Sequence, residues 1–68
     1  MRYLAIIEGS DGIYSACSPD LAGCVAAAES REETLRLMRK AIDFHLKGLR
    51  EDGLQNPPPT STAEYVAV

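Results

Sequence analysis

The sequence predicts a small α+β domain in the order β-β-β-α-β, with one long helix packed on a small sheet. Three observations lead there. Two strand-like runs, "YLAII" at 3–7 and "IYSAC" at 13–17, flank the glycine-rich stretch "EGSDG". From Ser30 to Gly53 the chain keeps a helical pattern with no proline inside it. A proline-rich segment then leads into a last strand-like run, "AEYVAV" at 63–68.

Each element has a local reason. The first two runs carry β-branched and aromatic residues, which suit a pleated surface, and the Asp-Gly pair between them is hairpin-turn chemistry. "CVAAA" at 24–28 is short enough for a third strand, because the helix signal begins only after it. "SREE" places Ser30 at the N-cap and Glu33 three residues on, a capping box, with Glu32 and Glu33 at the positive end of the helix dipole. Gly53 stands where a glycine just past the last turn ends a helix. The span gives about 22 helical residues at about 1.5 Å each. "LQNPPPTST" at 54–62 is a linker, since three consecutive prolines cannot continue a helix and favour extended geometry. The final run alternates and reads as a fourth strand.

Sixty-eight residues make a single domain, 1–68, near the lower limit at which one core sustains a fold. With 46% apolar residues the chain is globular, but three tyrosines, one phenylalanine and no tryptophan imply a modest aliphatic core. Two cysteines are too few for a disulfide framework, and no four ligands stand at zinc spacing. Oligomerisation, as dimer or tetramer, is the remaining means of stabilising so small a fold. A net charge of −3 argues against direct nucleic-acid binding, which needs a concentrated basic surface, and suits a basic protein partner. Arg2 follows Met1 with no apolar leader, and no run approaches transmembrane length. A cytoplasmic protein with reduced cysteines and no membrane partner is therefore expected.

The apolar pattern exceeds what one chain buries. On a helical wheel of about 100° per residue, Leu35, Met38, Ile42, Leu46 and Leu49 form the stripe expected against a sheet. Leu37, Ala41 and Phe44 form a second stripe beside it. In the first strand, Tyr3, Ala5 and Ile7 alternate with Leu4 and Ile6, so both faces are apolar, the mark of a strand covered on both sides. Leu37, Ala41 and Phe44, with Tyr65 of the last strand, are the candidate oligomer or partner interface.

The densest motif is "CSPDLAGC" at 17–24. A nucleophilic cysteine needs a base, and the single histidine, His45, lies in the middle of the helix, where it reads as a packed or partly exposed helix residue. Six residues separate the cysteines, without the spacing of a metal knuckle. As a turn, the loop makes immediate sense. Pro19 fixes φ at a first central position, Asp20 bonds nearby backbone amides, and Gly23 takes a positive φ before the chain re-enters the sheet. Cys17 and Cys24 are then small buried residues at facing strand ends. No catalytic residue, metal ligand or cofactor is expected.

The combination of "SPDLAGCVAAAESREETL", "AIDFHLKGLREDG", the proline linker and "AEYVAV" closely resembles HicB-type antitoxins over essentially the whole chain. The most specific part is "PDLAGC" followed at fixed distance by "SREE" and then "HLKGLREDG". The family commonly has a second proline in the loop; Ala22 stands there instead and is expected to loosen the turn without changing it. The resemblance implies a partial ribonuclease-H-like fold, an oligomer, and a role in covering the active site of a small, basic, histidine-dependent HicA-type ribonuclease toxin. Many members carry a further C-terminal DNA-binding domain, which is not expected in a chain ending at Val68, so little or no DNA affinity is expected either.

Two rival readings belong to other classes. One is an orphan oligomeric module that binds another protein or a ligand without a toxin partner. The other is a degenerate ribonuclease-H-like enzyme. Metal-dependent cleavage needs carboxylates clustered around two ions about 4 Å apart, yet Glu8 closes the first strand while Asp11 and Asp20 belong to different turns.

Overall fold

Asp11 and Gly12 turn the chain back on itself in two residues, with φ of 53° and 78° in the computed structural model, which describes residues 1–68. Two positive φ values in succession are what a type I′ hairpin requires, and Asp-Gly accepts them at little cost. The strands they join are β1 (Ile6–Ser10) and β2 (Ile13–Cys17), paired antiparallel from Ser10↔Ile13 to Ile6↔Cys17. The expected turn within "EGSDG" is thereby corrected: Glu8, Gly9 and Ser10 belong to the strand. Tyr3–Ala5, expected as strand, precede the pairing, because β2 ends at Cys17 and offers them no partner.

The β2–β3 connection is two consecutive turns. The Leu21 amide donates to the Ser18 carbonyl, with Pro19 at the first central position, and the Cys24 amide donates to the Leu21 carbonyl. Gly23, with φ of 79°, closes the second turn as expected. The purpose of this shape is to drive Leu21 inward, where it is 1% exposed. The chain then enters β3 (Val25–Ala28), antiparallel to β2 from Cys17↔Val25 to Tyr14↔Ala28, completing a sheet ordered β1-β2-β3.

The helix α1 (Arg31–Glu51) packs across β2 and β3. Ser30 is extended at the N-cap, and its hydroxyl accepts the Glu33 amide at 3.1 Å. The other half of the expected capping box does not form: the Glu33 carboxylate takes the Arg36 guanidinium instead, Nε lying 3.0 Å away. At the far end the Gly53 amide donates to the Arg50 carbonyl and the Leu54 amide to Leu49. That pair of bonds is a Schellman closure, made possible by Gly53 at φ of 74°.

Small side chains let the helix approach the sheet. Ala16 and Ala26 lie opposite one another on the helix side, and the core is Ala16, Leu21, Cys24 and Met38, with Ile7, Ala41, Ile42 and Leu46 against it. Full burial of Leu21 and Met38 contributes about 2 kcal/mol each. Thr34, unremarked in the sequence, is wholly buried; its hydroxyl lies 2.8 Å from the Ser30 carbonyl and 3.1 Å from that of Tyr14, tying the first helical turn to β2.

Two expectations are corrected here. Residues 63–68 form no strand; Tyr65, Val66 and Val68 are fully or largely exposed, because no edge of the sheet meets them. Cys17 is exposed, since its neighbour Ala16 takes the inward position, whereas Cys24 is buried as expected.

Candidate functional site

The side chains that α1 leaves uncovered make the most distinctive surface. Alternation along the strands puts Ile6, Cys17 and Val25 in one row on the sheet face away from the helix. Ile6 is 41% exposed and Val25 65% exposed. No element of the chain covers that row.

Beside it, between β3 and the helix, runs a shallow groove of about 420 Å³ lined by Cys24, Val25, Ala41, Phe44, His45 and Leu49. Phe44 stands 80% exposed. A phenylalanine in mid-helix with its ring in solvent has an apolar body and no polar tip, so it favours contact with another surface. Of the four interface candidates, the structure brings Ala41 and Phe44 together here. Ala41 also rests on the chain's own core, so the second apolar stripe is split between inside and outside. Leu37 is half-buried and lines a separate hollow beside Ser30, while Tyr65 sits on the free C-terminal tail.

The groove is lined by more apolar than polar side chains. Burial pushes the Cys24 thiol above its ordinary pKa, which keeps it protonated and poorly nucleophilic. His45 is half-buried on α1. Nowhere in the fold do three His, Cys, Asp or Glu side chains converge as metal ligands. No helix is long and apolar enough to cross a membrane.

A second feature, which local sequence reasoning misses, is the clamp made by Asp20. Its carboxylate does not cap nearby amides as expected. It accepts the Ser61 amide at 3.1 Å, the Ser61 hydroxyl at 2.8 Å and the Thr60 hydroxyl at 3.2 Å. These bonds, the Ser61 amide first, hold the Asp20 carboxyl below its ordinary pKa of 3.8. Tyr3 adds a second tie by donating its hydroxyl to the Pro57 carbonyl. The proline linker is therefore fixed at two points, one at Tyr3 ahead of β1 and one at the loop joining β2 and β3. Its polar residues Thr60 and Ser61 were visible in the sequence, but nothing in the sequence pairs them with Asp20, some forty positions away.

Comparison with known proteins places relatives along most of the chain. A family described as "HicB_like antitoxin of bacterial toxin-antitoxin system" matches residues 3–68. The chain is 30% identical over 66 residues to an uncharacterized 14.9 kDa protein in the rep-hol intergenic region of Haemophilus phage HP1, a match covering 97% of this chain and 50% of that protein. It is 42% identical over 50 residues to a UPF0150 protein of Helicobacter pylori, covering 74% of this chain and 69% of that one. The chain thus spans about half the length of the phage relative. No solved structure matches significantly. With the family match extending from Tyr3 to the last residue, the chain belongs to the HicB-like antitoxins of bacterial toxin–antitoxin systems.

Proposed function

We propose that this domain binds a small, basic HicA-type ribonuclease toxin in the cytoplasm and neutralises it by covering its active site, with no catalysis of its own. The observation that carries the reading is the exposed pair Phe44 and Val25, 80% and 65% exposed on adjoining elements, in a chain whose family is that of antitoxins. An apolar centre in an acidic molecule of net charge −3 suits a basic partner, because charge steers the encounter and apolar burial holds the complex. In this reading β1–β3 and α1 are the core of a partial ribonuclease-H-like fold without nuclease chemistry: Glu8 is exposed on β1, and Asp20 is engaged by Ser61. The uncovered row Ile6, Cys17 and Val25 supports a homo-oligomer, dimer or tetramer, as the working form.

Co-expression with a small basic HicA-type ribonuclease tests the reading. The wild-type chain is expected to co-purify with that protein, and Phe44→Glu to weaken the complex by roughly a hundredfold, about 2.7 kcal/mol on the scale of an interface anchor. Equal retention of the toxin by both chains would remove Phe44 from the contact, and no complex with either would remove the function.

A further inference from the structure

The fold contains a slot of strand shape and, elsewhere, a strand-type segment with nothing to pair with. The slot is a groove of about 750 Å³ between the first residues of the chain and α1, with Tyr3 and Ala5 on one wall and Leu35, Met38, Ile42 and Leu46 on the other. It lies on the β1 side, where the helix, seated on β2 and β3, leaves the sheet thinly covered. β1 is an edge strand, and Tyr3–Ala5 leading into it have strand-type sequence but no partner. Leu35, on the helix wall, is 38% exposed. The unpaired segment is Ala63–Val68, alternating and β-branched, with Tyr65, Val66 and Val68 in solvent.

We propose that the tail of each chain fills the slot of a second copy, adding a strand beside Tyr3–Ile7 by reciprocal exchange. The linker decides between the chain's own slot and a partner's. At Pro57 the chain touches Tyr3, at the slot, but four residues later Ser61 is held by Asp20 in the loop joining β2 and β3. The linker therefore carries the tail past Tyr3 and releases it beside the loop that joins β2 and β3. Stiff prolines at 57–59 oppose a reversal. Six tail residues span about 20 Å, enough to line the five residues Tyr3–Ile7 at about 17 Å. Charge agrees as well: Arg39 and Lys40 on the slot's rim form no ion pair within the chain, and the tail carries Glu64. Strand addition satisfies the backbone of an exposed edge, and a twofold arrangement uses the same contact twice. This inference is independent of the toxin reading.

The test uses the full chain and its Val66→Pro variant, which removes a ladder amide from a residue that contributes nothing to the monomer's core. The wild-type protein is expected to sediment as a dimer or larger even assembly at micromolar concentration, with the amides of residues 64–67 protected from exchange. In a mixture of ¹³C-labelled and unlabelled chains, Tyr65 of one copy should show contacts to Leu35 or Ile42 of the other. Val66→Pro should weaken association by roughly tenfold or more, the effect of a lost ladder hydrogen bond in each half, with an unchanged circular dichroism spectrum of the helix. A monomer, an assembly whose tail amides exchange freely, or Tyr65 contacts only within its own chain would each overturn the proposal.

Discussion

Removing the Asp20 carboxylate severs the bonds that hold Thr60 and Ser61 to the β2–β3 loop. Asp20→Ala is accordingly expected to speed amide exchange at Ser61 while leaving α1 intact. The pH dependence has a definite sign. Because the folded pKa is lowered, the clamp's contribution is fully present above the ordinary value of 3.8 and is lost as pH falls through the lower folded value. The Ser61 amide resonance, followed on acidification, reports that loss; a clamp already released at or above pH 3.8 would contradict the assignment. Leu21 is the other decisive residue of this loop. Leu21→Ala should cost about 2–5 kcal/mol in denaturant unfolding, a large share of what a domain this size possesses. Much of the loop was legible in advance, because Pro19 and Gly23 act through their own φ preferences. The Asp20 clamp was not, since its partners lie beyond the helix. Thr34 was hidden for a similar reason: a threonine in a helical run announces nothing until β2 supplies the Tyr14 carbonyl.

Helix α1 is the element that the sequence describes best, since both its ends are closed by local chemistry. Ser30→Ala should lower stability by about 1 kcal/mol through the lost cap. Gly53→Ala should cost about 1 kcal/mol or somewhat more, because alanine resists the positive φ of the Schellman closure. Thermal unfolding of the two variants checks both values, and a neutral Gly53→Ala would show that the closure is dispensable. The strands were harder to place. Composition marks "YLAII" as strand material, but the pairing partner sets where a strand starts, and the two-residue turn at Asp11-Gly12 pairs β2 with Ile6–Ser10. The same logic leaves "AEYVAV" extended but unpaired in one chain. Strand chemistry is local, whereas a strand's existence depends on a neighbour.

At the scale of the whole molecule, a core of four buried apolar side chains sits beneath surfaces that expose Ile6, Val25 and Phe44. The sequence foretold this excess through the two-sided β1 pattern and the second helical stripe. It did not show that Ala41 turns inward while Phe44 turns out, which depends on how the helix is rotated over β2 and β3. Phe44→Glu is therefore expected to leave the monomer's fold nearly as stable as before, within about 0.5 kcal/mol for a surface change, while impairing partner binding. The claim that this exposed surface neutralises a toxin is tested most directly by RNA cleavage. A purified HicA-type toxin is titrated with the wild-type chain. Cleavage should fall to background near equimolar addition, and the Phe44→Glu chain should require at least roughly tenfold more to reach the same point. Undiminished cleavage at a large molar excess of the wild-type chain would contradict the account.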